Sequence, residues 1–181
     1  MTATTPSRLL VTTLAVVQLL AVALWGGGLI TLGAIVAPTV FHTVHAPENA
    51  DAMTLVFGRF DSVAITCAAL ALVAEALFAL RGGRVTRADL ARGVCLVVAT
   101  GLAIATAAWL SPGIAALHRG GALRGVGEAG LSLERMHRLA ERLAKGELML
   151  LLAVFILSVA KAAREGARGT LPAQTLPEPP S

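Results

Sequence analysis

The sequence predicts an all-α protein: a four-helix transmembrane bundle of up-down topology, with a short interfacial helix between its first two spans and a disordered C-terminal tail. Apolar residues make up 56% of the 181 residues and charged residues only 14%, giving a mean hydropathy of +0.76. That is too little charge to cover a water-facing surface. The apolar residues also fall in long uncharged runs rather than in alternation, which excludes an outer-membrane barrel and favours spanning helices. Fifteen Lys and Arg against eleven Asp and Glu leave a formal charge of +4. Because the basic residues flank the apolar runs, the expected partner is a lipid bilayer, together with a second copy or a membrane partner protein, and not nucleic acid.

The first span is expected at about 9–37. No Asp, Glu, Lys or Arg occurs from Leu9 to Pro47, a run longer than the ~20 residues that cross a bilayer. Ala21-Val22-Ala23 resembles a signal-cleavage site, but the apolar run continues beyond it and only Arg8 precedes it, so the segment reads as a retained helix. Pro38 should kink or end the helix, and Pro47 should close the segment. Asn49 is a candidate cap for the interfacial helix, on which Met53, Val56, Phe57 and Phe60 share one face.

The second span is expected at 62–80. It stops at the basic turn Arg81-Gly82-Gly83-Arg84, after which Thr86 and Asp89 have capping-box spacing. The third, at 93–112, reaches Ser111-Pro112, where the helix should kink or end. Five glycines between Gly120 and Gly130 then predict a loop. Gly125, Gly127 and Gly130 match a dinucleotide-binding spacing, but with no strand before them they read as flexible backbone. Ser132 is a candidate cap for the last helix, whose membrane part is expected at 140–161, with its early charged side chains reaching toward headgroups. The domain is thus 1–165, and the four prolines after Gly166 predict disorder over 166–181.

Four spans put both termini on one side. The short second turn is dense in Arg, the first connection holds only Arg59, and the six basic residues of the third connection are interleaved with acids along a helix. This distribution favours cytoplasmic termini in a bacterial inner membrane. Cys67 and Cys95 lie in apolar stretches near opposite faces and outside any metal or redox spacing, predicting free thiols.

Polar residues beside the spans are the informative ones, because lipid offers them no compensation. On the outer side lie His42, His45, Arg59, Asp61, His118 and His137, contributed by all four spans. His42 and His45 have metal-ligand spacing on a continuing helix, but two ligands do not make a site, so no metal is assigned. Arg59 and Asp61 face apart and need different partners. The candidate binding set is His137, Arg59, Asp61, His42 and His45. On the inner side Glu75 lies within the second span, where three readings stand: it pairs with Lys161, with Gln18 also at compatible depth, it serves as a protonatable transport residue, or it does neither. Ala99, Ala103 and Ala107 form a stripe for close helix contact, while Trp25 and Trp109 lie deep in their runs.

Several segments read together carry a resemblance: Trp25-Gly26-Gly27-Gly28, Ala37-Pro38-Thr39-Val40-Phe41, Phe57-Gly58-Arg59-Phe60-Asp61, Ser111-Pro112-Gly113-Ile114-Ala115-Ala116-Leu117 and Met136-His137-Arg138-Leu139. In order and spacing they resemble a bacterial domain-of-unknown-function family of four-span membrane proteins similar to eukaryotic transmembrane protein 205. The resemblance covers about 10–160 and rests on Trp25, Gly27, Pro38, Phe41, Arg59, Pro112 and His137. It implies a membrane location and a compact four-helix domain, not a reaction. No hydrolase, nucleotide-binding or zinc-protease motif is present and no cofactor is called for. The expectation is a non-enzymatic protein that handles a small molecule or ion or serves as a partner subunit. The alternative is a ligand- or metal-binding transporter using the outer His/Arg/Asp cluster.

Overall fold

A computed structural model describes residues 8–45, 48–81 and 85–169. Pro47, the Gly82–Arg84 part of the basic turn and the tail from residue 170 lie outside the described residues. Among those described, four helices are long and apolar enough to cross a membrane, and no strand occurs. Helix α1 comprises Arg8–Thr31, a π-turn over Leu32–Val36, and Ala37–Thr43. Helix α2 is Glu48–Leu80. Helix α3 comprises Arg87–Ala105, a π-turn over Thr106–Leu110, and Ser111–Arg119. Helix α4 is Gly127–Gly169.

Neither proline ends its helix. The residue before each donates its N–H five residues back, Ala37 to Leu32 O and Ser111 to Thr106 O. A proline in mid-helix lacks a donor and presses on the carbonyl four residues earlier, and widening one turn by a residue makes room for it. The same device therefore appears twice, near the same end of the bundle.

The connections differ from expectation in three places. The interfacial helix is not a separate element: with no proline between Glu48 and Leu80 to interrupt the ladder, it forms the first turns of α2. Asn49 consequently lies inside the helix, its N–H bonded to His45 O at 3.1 Å, and does not cap it. Helix α4 begins at Gly127, ahead of Ser132, and runs on through Gly166 to Gly169. Gly125 and Gly127 adopt left-handed φ values of 78° and 65°, and a Cβ at Gly130 would strike the Leu123 carbonyl. Those three glycines shape the entry into α4 by conformation and close approach. The predicted Thr86–Asp89 capping box is present at the start of α3.

The helices form a ring in which each packs against its sequence neighbours and α4 closes on α1, with no close backbone approach across either diagonal among the described residues. Small residues line the contacts: Ala21 on α1, Ala64, Ala68 and Ala71 on α2, and Ala99 and Ala103 on α3 are buried. Trp25, Leu96, Leu151 and Val154 fill the remaining space. Phe60 packs on Gly28, and its ring would have to shift to admit a Cβ there. Such packing lets backbones approach where water supplies no hydrophobic drive between helices. The outward faces are as aliphatic as the interior, with Leu24, Leu70, Val97 and Ile156 exposed. Trp109 also faces outward, unlike Trp25. Cys67 and Cys95 are free thiols.

Candidate functional site

Within this apolar ring Gln18, Arg92, Thr100 and Glu147 are buried polar side chains. We call the end that carries the start of α1 and the α2–α3 turn proximal, and the end that carries the other two connections distal. At the proximal end Arg92, 3% exposed, meets Glu75 with both prongs of its guanidinium: Nε donates to Oε2 and Nη2 to Oε1, each at 2.9 Å. Gln18 Nε2 donates to Glu75 Oε2 at 2.7 Å. Asp89 lies 3.5 Å from Arg92 and accepts from Lys161 Nζ at 2.7 Å, while its other oxygen accepts from the Thr86 N–H and hydroxyl. Lys161 also sits over the Phe78 ring. All four helices are knitted here, and each carboxylate has a cation. The partner of Glu75 is Arg92; Lys161, expected in that role, serves Asp89 instead.

Farther along the axis the balance changes. About 10 Å of rise separates Gln18 from Trp25 on α1, and the Trp25 Nε1–H donates to Glu147 Oε1. Glu147 is 3% exposed. Asp61 on α2 is half-buried beside the Ser111 side chain and lies close enough to Glu147 for their charges to interact. Among the described residues neither carboxylate has a cationic partner. The Thr106 hydroxyl, on the π-turn of α3, is buried without a hydrogen-bond partner. Beside Asp61 an open groove of about 600 Å³ runs between α2 and α3, with Thr54, Ser62, Ile65 and Ala107 among its walls.

The outer set read from sequence is not assembled. Asp61 turns toward Ser111; His42 Nδ1 lies 2.9 Å from the Pro38 carbonyl of its own helix; His45 and Arg59 are exposed. His137 meets His118 edge-on, ring centroids 5.8 Å apart. Among the described residues no group of three His, Cys, Asp or Glu is placed to hold a metal ion. Nearby, Arg124 donates to Glu134, a contact that raises the pKa of its guanidinium.

Two residues escaped the sequence reading. Glu147 stands at the border between charged turns and an apolar run, where a headgroup-facing role is the simpler inference; the signal was Trp25, a mid-span indole whose N–H needs an acceptor. Arg92 follows the arginines of the second turn closely in sequence, yet it lies on the face of α3 that meets Glu75.

Four apolar helices around an internal string of polar groups define a multi-pass membrane protein. The family described as a domain of unknown function, DUF4149, matches residues 20–122, more than half of the chain, and the chain belongs to that family. The match takes in Trp25, Asp61, Glu75 and Arg92 and leaves out α4, with Glu147 and Lys161. No curated protein and no solved structure matches the chain.

Proposed function

We propose that this chain is a non-enzymatic protein of the bacterial inner membrane, with both termini cytoplasmic, that takes up and releases protons on Asp61 and Glu147. One contrast carries the reading: Glu75 and Asp89 are each neutralised by a cation, whereas Asp61 and Glu147 have none among the described residues. A carboxylate in apolar surroundings without a counter-charge is costly, and binding a proton removes that cost. The α2–α3 groove supplies Asp61 with access, and Thr100 and Gln18 continue the polar string toward Glu75. The kinship with transmembrane protein 205, drawn from Trp25, Pro38, Arg59 and Pro112, belongs to the same proposal.

In vesicles loaded with a pH-sensitive dye, wild-type protein should equilibrate an imposed pH gradient. Asp61→Asn and Glu147→Gln should each slow this by about tenfold or more, and Arg59→Gln and His42→Ala should leave it unchanged. Equal rates in wild type and both carboxylate variants would remove the proposal. Orientation is checked with single cysteines in a Cys67→Ala, Cys95→Ala background. Ala122→Cys should react with an impermeant reagent on intact cells and Ala88→Cys only after the cells are opened; the reverse pattern inverts the topology.

A further inference from the structure

We propose that the groove between α2 and α3 binds a primary ammonium group carried on an apolar body, a lipophilic amine whose charge replaces the proton on Asp61. The assignment rests on the preceding reading in using Asp61, and adds what the rest of the groove accepts. Its lining residues include no cationic side chain and no side-chain N–H donor. Two of its hydroxyl protons are already committed, Thr54 donating to Ala50 O at 2.8 Å and Ser62 to Gly58 O at 3.3 Å, and the Ser111 side chain lies beside Asp61. What these groups present to an occupant is lone pairs.

The kink in α3 adds one acceptor. The Ser111 N–H goes to Thr106 O, and the next residue is Pro112, which has no N–H. The Ala107 carbonyl, on a residue that lines the groove, therefore loses both the α-helical and the π-helical donor it could have had. An acceptor-rich wall around one carboxylate calls for a cation with several N–H donors, and a primary ammonium has three. Ile65, Ala115 and Pro112 offer apolar contact for its body, and about 600 Å³ is the size of a small-molecule site.

The probe is dansylcadaverine, a primary amine on an apolar dye, titrated into full-length protein in maltoside micelles with dye fluorescence as readout. Saturable binding is expected, weakened about 30-fold in Asp61→Asn and abolished by Ile65→Trp, which fills the groove and keeps the carboxylate. The trimethylammonium analogue, with no N–H donor, should bind more weakly than the amine. Binding that is unsaturable, or indifferent to both substitutions, overturns the assignment, as does equal affinity for the quaternary analogue. Displacement by phosphatidylethanolamine in mixed micelles would give the same primary-ammonium chemistry to a lipid headgroup and overturn the assignment to a free amine. The two readings separate cleanly. Proton uptake in vesicles without saturable amine binding defeats only this inference, and amine binding without proton uptake supports it while defeating the earlier one.

Discussion

Replacing Arg92 by alanine is expected to destabilise the bundle by about 3–5 kcal/mol, the usual cost of breaking a buried pair from one side. The guanidinium is the hub of the proximal network, holding Glu75 at two points and lying beside Asp89. Without it Glu75 keeps only the neutral amide of Gln18, and a part-buried charge loses its counter-charge. Arg92→Lys should fall between, since a single ammonium cannot reproduce the two-pronged contact. Removing both charges, in Glu75→Leu with Arg92→Leu, should restore most of the loss, because the cost arises from the orphaned partner. Thermal unfolding in detergent, followed by circular dichroism, measures all three. An Arg92→Ala protein within about 0.5 kcal/mol of wild type would show that water reaches the network and relieves the orphaned charge.

The second large effect is expected at Trp25. Trp25→Ala removes a fully buried ring from the centre of the core and should cost about 3–5 kcal/mol. Trp25→Phe separates the two contributions: most of the ring remains, but Glu147 loses its only hydrogen-bond donor among the described residues, which should cost about 1–3 kcal/mol. Combining Trp25→Phe with Glu147→Leu should recover that part. Trp25 and Trp109 are the two tryptophans of the chain, so a Trp109→Phe background assigns the fluorescence of the buried indole. A Trp25→Phe protein as stable as wild type would mean that the indole–carboxylate bond contributes nothing.

Much of the architecture was legible in the residues. Long uncharged runs leave few options other than helices crossing a bilayer, and the Thr86–Asp89 cap and the glycine-rich α3–α4 connection are local matters settled within a few residues. The errors lie where a local signal was overridden or had two outcomes. Asn49 and Ser132 have the chemistry of caps, yet the helix had already begun at Glu48 and Gly127. Pro38 and Pro112 permitted either an end or a kink, and continuation through a π-turn depended on how the widened turn packed.

The site was much less legible, for a related reason. Composition showed that Glu75 needed a partner. Depth along an ideal helix pointed to Lys161, while azimuth, which a list of residues does not contain, chose Arg92. His42 and Arg59 are exposed while the partly buried His137 packs on His118, so the suspected cluster does not come together. Glu147 and Asp61 come near each other from helices that share no close backbone contact, with no sequence spacing to announce it. Hydropathy summed along the chain sufficed for four membrane helices and the end of the bundle at which each polar residue lies, because burial in lipid depends on length and composition. Only packing decided which carboxylates received a cation and which did not, because that depends on rotation about each helix axis, and rotation is set by the neighbours against which a helix rests.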